Sequence, residues 1–195
     1  TTPVLDASQT YYAQAIFVGE TNFVGETNTS DDGDYDNTDT QHYLIFDCFD
    51  QCELQEVTVY AETAAERTIS LRNAAGEVLQ EKTLNISAGE QTISLNFELA
   101  PGENYQLAVN ANSGLYRGRQ TWTNTFDYPY EIDMLSIKNS DDGIGWGTSE
   151  QVYPYFYNWK VKSPDCYTER QAVYAVINES PSVDFNWDAE GLNVT

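Results

Sequence analysis

Thr92-Ile-Ser-Leu-Asn-Phe-Glu-Leu99 sets Ile93, Leu95, Phe97 and Leu99 in unbroken alternation with Thr92, Ser94, Asn96 and Glu98. A period of two sends successive side chains to opposite sides of an extended chain, so this is a strand with one buried and one wetted face. The same phase recurs nearby. Ile69 and Leu71 alternate with Thr68, Ser70 and Arg72, and Tyr105, Leu107 and Val109 alternate with Gln106, Ala108 and Asn110. Ala75-Gly76, Ala88-Gly89 and Pro101-Gly102 supply turn chemistry between them. Further strands are expected at 43–49, 55–61, 78–84, 131–137 and 153–162, and the slipped phase between Met134 and Leu135 reads as a bulge or an edge. No stretch has a helical period; Ala61-Glu-Thr-Ala-Ala-Glu66 is too short to hold as a helix and reads as a turn. The expected fold is an all-β antiparallel sandwich.

At 195 residues the chain can bury one sizeable core, with segments appended to it. The expected divisions are an acidic N-terminal segment at 1–41, a sandwich domain at 42–168, and a C-terminal strand with an acidic tail at 169–195. Fourteen tyrosines against one methionine fit strands better than helices.

Charge separates the ends from the middle. The net charge is −22, from 31 acids and 9 bases, and no Lys or Arg stands before Arg67 or after Arg170. Residues 1–66 hold 14 acids and residues 171–195 hold 4, leaving 13 for the stretch that has all 9 bases. Such acidity repels phosphate backbones and anionic headgroups, which argues against nucleic acid and membrane surfaces as partners. It suits cations, or a saline habitat in which self-repulsion is screened. No run approaches the roughly 18 apolar residues of a membrane-spanning helix, and no basic region followed by an apolar stretch opens the chain, so Thr1 reads as a mature or trimmed terminus.

The flanks have apolar features of their own. A strand is expected at 10–18, followed by a tandem hexapeptide, Phe17-Val-Gly-Glu-Thr-Asn22 and Phe23-Val-Gly-Glu-Thr-Asn28. Two copies are too few for a solenoid and read as a local duplication that makes a loop or lengthens a strand. Near the other end, Ala172, Tyr174 and Val176 alternate with Val173, Ala175 and Ile177, so 170–177 is apolar on both faces. Such a strand lies inside a stack or against another molecule.

Asp32, Asp34, Asp36 and Asp39 crowd carboxylates into one short segment. That spacing suits a loop-type calcium site, with a solvated acidic loop as the other reading; Asn37 and the lack of a closing Glu exclude an EF-hand. Tyr153, Tyr155, Tyr157 and Trp159 share one face of an expected strand, which reads either as core packing or as a platform for sugar rings. Catalysis finds little support: there is one histidine, His42, and no nucleophile elbow or phosphate loop. Cys48, Cys52 and Cys166 fit one disulfide and one free thiol, with zinc as the rival reading.

The order Leu44-Ile-Phe-Asp47, Cys52 to Ala61, Arg67 to Leu79, Ala88 to Phe97, Leu115-Tyr-Arg117, Tyr128-Pro-Tyr130 and Tyr155-Phe-Tyr-Asn-Trp159 resembles the jelly-roll-like accessory modules of large secreted surface proteins of Bacteroidetes-type bacteria. The resemblance covers about 42–168. It implies a jelly-roll-like sandwich, an extracellular location, and a Cys52–Cys166 disulfide; Cys48 departs from the pattern and, sharing a strand face with Leu44 and Phe46, reads as a buried thiol, with a Cys48–Cys52 hairpin bridge as the alternative. The acidic flanks depart from that pattern. The expected function is a non-catalytic extracellular structural or adhesive subunit that self-assembles by donating the strand at 10–18 or at 170–177. The alternative is a carbohydrate-binding module with calcium as a structural clamp.

Overall fold

The computed structural model describes residues 7–29, 32–120, 124–141 and 149–177. Within them the chain is all-β, with strands β1 (Gln9–Ala13), β2 (Ile16–Phe17), β3 (Thr21–Val24), β4 (Asp34–Tyr35), β5 (Tyr43–Cys48), β6 (Cys52–Ala61), β7 (Ala65–Arg72), β8 (Val78–Ile86) and β9 (Gly89–Leu99). They continue as β10 (Gly102–Val109), β11 (Tyr116–Arg119), β12 (Tyr130–Ile132), β13 (Leu135–Ser140), β14 (Val152–Pro154), β15 (Tyr157–Lys162), β16 (Cys166–Tyr167) and β17 (Gln171–Ala175). Two compact units result: Val18–Cys166, and the chain ends Thr1–Phe17 with Tyr167–Thr195.

The larger unit is an antiparallel β-sandwich. One sheet runs β12-β13-β5-β10-β7-β8 and the other β3-β15-β6-β9, with a smaller sheet β14-β11-β4. Successive strands exchange sheets: β5 to β6, β6 to β7, β8 to β9 and β9 to β10 each leave one large sheet for the other, a jelly-roll-like route. The alternation read from the sequence explains the packing. Leu44, Phe46, Ile69, Leu71, Leu107 and Ile137 point inward from the first sheet. They meet Leu54, Val57, Ile93, Leu95, Phe97 and Val161 from the second in one core. Burying each such side chain stabilises the fold by roughly 1.5–3 kcal/mol. The turns fall where expected, and Gly76 and Gly89 adopt φ of 80° and 89°, a left-handed conformation that a side chain disfavours.

Two details differ from the expectation, and a third agrees with one of its alternatives. The slipped phase at Met134 is a two-residue hairpin turn, since Ile132 pairs directly with Leu135. The stretch 153–162 is two strands: the chain turns at Tyr155, whose φ is 66°, and passes from β14 in the small sheet to β15 in a large one. The hexapeptide junction falls inside β3, whose Thr21–Val24 pairs with Lys162 to Trp159, so the duplication lengthens an edge strand. With β3 and β4, the sandwich unit takes in part of the acidic N-terminal segment.

The first base of the chain is wholly committed to this framework. Arg67 is 2% exposed, and its guanidinium donates to the carbonyls of Thr63, Ala65, Ile86 and Ser113. It stitches the β6–β7 link, the end of β8 and the segment before β11 to one side chain, and burial lowers its pKa from the ordinary arginine value. Arg67→Leu is expected to leave those carbonyls without their donor and to destabilise the fold by about 3 kcal/mol, measured by urea unfolding.

Candidate functional site

The acidic segment is held against the sandwich by arginine. Asp34 lies in β4 opposite Arg117 of β11, and a two-residue offset on β11 brings Arg119 to the same side. Asp34 Oδ1 is 3.1 Å from Arg117 Nη2, and Asp34 Oδ2 is 3.1 Å from Arg119 Nη2. Asp36 is buried at 1% exposure. Its Oδ1 accepts from the Thr38 backbone N–H at 3.1 Å and the Thr38 hydroxyl at 2.7 Å, and its Oδ2 accepts from the Tyr155 hydroxyl. Arg117 Nη1 stands 3.8 Å from Asp36 Oδ1, an electrostatic approach beyond hydrogen-bond length. Main-chain bonds between Asp36 and Leu115, Asp36 and Gly114, and Thr38 and Asn112 fix the segment in register.

Of the four carboxylates read as calcium ligands, Asp34 and Asp36 come together on the guanidinium of Arg117. Asp32 and Asp39 are exposed. Among the described residues no three His, Cys, Asp or Glu side chains form a metal-holding group. Arg117 was the residue missed. Its signal was a base two positions from Arg119 on a strand of otherwise uncharged residues, which demands a carboxylate partner when buried.

The aromatic face is core. Tyr153, Tyr155, Tyr157 and Trp159 are each exposed by 1% or less, so none offers a ring to a sugar, and the platform reading is overturned by burial. Tyr128 stacks on Tyr153 with centroids 5.6 Å apart, and Trp159 meets Phe46 edge-on at 5.1 Å while its Nε1 donates to the Phe156 carbonyl at 2.7 Å. The second hexapeptide copy serves this cluster. Glu26 Oε2 accepts from the Tyr130 hydroxyl at 2.8 Å, and Gly25, at φ 93°, leaves room for the Tyr153 hydroxyl, which a Cβ there would approach to 2.5 Å.

The cysteine expectation is corrected too. All three thiols are free; Cys166 is exposed on β16, whereas Cys52 is buried with its Sγ 3.7 Å from Cys48 Sγ. Cys52 therefore faces the cysteine four residues before it, across the link between the two sheets.

The terminal unit is a ribbon. β1 pairs with β17 in a two-stranded antiparallel sheet, Tyr11 opposite Val173 and Tyr12 opposite Ala172. The two strands expected as donors thus pair with each other. Thr168 secures the chain beyond them, donating its N–H to the Ala15 carbonyl at 3.1 Å and accepting the Ala15 N–H at 3.0 Å. Among the described residues both faces of the ribbon are exposed: Tyr12 is 67% and Tyr174 72% exposed on one side, and Val173 is 48% exposed on the other. Ile16, Phe17, Tyr167, Val176 and Ile177 are exposed as well. The remainder of the C-terminal tail, 178–195, lies outside the described residues.

No protein-family model, curated protein or solved structure matches the chain.

Three outcomes follow from these contacts. Arg117→Met, which strands Asp36 without a countercharge, is expected to destabilise by about 3–5 kcal/mol in urea unfolding. Lys160→Met, which breaks the half-exposed pair with Glu56, should cost less than about 1 kcal/mol. Burial also raises the phenol pKa of Tyr128, Tyr153, Tyr155 and Tyr157 above the ordinary value of 10.0. Unfolded phenols release protons from about pH 10 while the folded ones do not, so stability is intact below that pH and falls as pH rises beyond it. In an alkaline titration, phenolate absorbance from these four is expected only together with loss of the near-ultraviolet circular dichroism.

Proposed function

We propose that the protein is a non-catalytic extracellular structural subunit that self-associates through the ribbon β1–β17. The observation that carries this reading is the ribbon itself, uncharged throughout: β1 reads Gln-Thr-Tyr-Tyr-Ala and β17 Gln-Ala-Val-Tyr-Ala, with no charged residue in either. A two-stranded ribbon in water is marginally stable, and unpaired strand edges are templates for pairing with another chain. Exposed apolar side chains on both faces add a hydrophobic drive to that association.

A second copy of this chain suits the surface best. With a net charge of −22, two copies repel each other at long range, and an uncharged ribbon is where close approach costs least. The extracellular location rests on the resemblance of 42–168 to secreted surface modules. Strand donation in its simple form, one free terminal strand entering a neighbour, gives way here to pairing between whole ribbons, edge to edge or face to face.

The charge balance makes the test specific. Raising ionic strength shortens the screening length to about 8 Å at physiological salt and so favours association. Sedimentation velocity and negative-stain microscopy of the full chain are expected to show larger species as salt rises. Tyr12→Ser with Tyr174→Ser, which removes apolar surface without altering charge, is expected to abolish them while leaving the melting of the sandwich unchanged. A chain that stays monomeric at every salt concentration would sink the proposal.

A further inference from the structure

Cys48 ends β5 in the six-stranded sheet and Cys52 begins β6 in the four-stranded one, so the link 49–51 is a corner at which the chain crosses the sandwich. Both side chains are buried, at 3% and 1% exposure, and their sulfurs stand 3.7 Å apart. The Cys48 thiol also donates to the Asp50 carbonyl at 3.0 Å, which turns its sulfur into the corner. A disulfide has a sulfur separation of about 2.05 Å, so closure asks for a modest approach of two side chains already facing each other. The link residues 49–51 are exposed, and the Phe49 N–H donates to the Met134 carbonyl at 2.8 Å, which holds the corner in place while the two thiols face each other.

We propose that Cys48 and Cys52 form a reversible intrachain disulfide that ties the two sheets of the sandwich together at the 49–51 corner, with a small-molecule disulfide of the glutathione class as oxidant. The inference stands on the β5–β6 geometry and does not depend on the terminal ribbon. Cys48 is the first nucleophile, because the hydrogen bond offered by the Cys52 thiol holds its pKa below the ordinary thiol value. Its thiolate attacks one sulfur of glutathione disulfide, breaking that S–S bond, forming a mixed disulfide and releasing one glutathione thiolate. The Cys52 thiolate then attacks the Cys48 sulfur, closing the intrachain bond and releasing the second glutathione. The two protein thiols lose two electrons, glutathione disulfide gains them, and both protons leave on the two glutathione thiols. The pKa of Cys52 is raised chiefly by its hydrogen bond to Cys48, a restraint that disappears once Cys48 is in the mixed disulfide.

The experiment uses the full chain with Cys166→Ser, which removes the exposed third thiol and leaves the pair. Native protein is equilibrated across ratios of glutathione disulfide to glutathione, and a second sample is refolded from the reduced, denatured chain in the same buffers. Both are acid-quenched, alkylated and peptide-mapped. At the oxidising end the expected result is a Cys48–Cys52 link with no alkylated thiol, reversed by excess glutathione through a single two-electron transition. The linked form is expected to melt about 4–8 °C higher than the reduced form, the shift for closing so short a loop in a chain of this size. A link in the refolded sample alone still supports the pair, since the native corner then only limits access. Two alkylated thiols in both samples, or glutathione retained on either cysteine, overturn the proposal.

Discussion

The pairing of Arg117 with Asp34 and Asp36 is the contact on which the acid-rich N-terminal segment depends. Asp36 is buried, and a buried carboxylate without a countercharge costs several kcal/mol, so the segment can lie on the sandwich only in the register that brings it to Arg117. β4 then pairs with β11, Tyr155 and Thr38 complete the carboxylate's hydrogen bonds, and the small sheet β14-β11-β4 forms. Bases are scarce in this chain and are used close at hand. Lys138 meets Asp47, Lys160 meets Glu56, Lys162 meets Asp165, and Arg67 turns to backbone carbonyls. Apart from Lys162, these lysines and Arg117 meet carboxylates of residues 1–66, so charges separated in sequence are brought together in space.

The two units treat their sheet edges differently. β8, at one edge of the six-stranded sheet, carries Glu81 and Lys82, charges that discourage a further strand from pairing there. β1 and β17 carry none and present tyrosines and valine to water. The edge strand β8 thus carries charge, and the ribbon strands carry none.

Much of the sandwich was legible in the sequence because strand burial has a local signature. β7, β9 and β10 follow the period of two, and Gly76 and Gly89 mark turns by their freedom at positive φ. The errors came where a local pattern had two physical causes. The phase slip at Met134 read as a bulge or an edge, and a two-residue turn proved to be its source. Tyr153, Tyr155, Tyr157 and Trp159 alternated as one strand face, yet the turn at Tyr155 divides them between two sheets, and all are buried. Alternation reports that residues share an environment; it is silent on whether that environment is solvent or core. The acid spacing of 32–39 was equally visible, but its partner lies 83 residues away in sequence, beyond the reach of any spacing rule. Cys52 likewise faces Cys48 and not the distant Cys166, because the corner between β5 and β6 folds back on itself.

The sequence by itself determined the all-β class, the positions of the main strands and turns, and the separation of a charged N-terminal segment from uncharged apolar strands near both ends. These follow from side-chain period and composition, which act over a few residues. Only the tertiary structure decided that Arg117 meets Asp34 and Asp36, that the tyrosine face is inside, that Cys48 faces Cys52, and that the two apolar end strands pair with each other. Each of those depends on which distant segments close upon one another, and that is settled by the burial of a shared core and the pairing of buried charge, not by any local pattern.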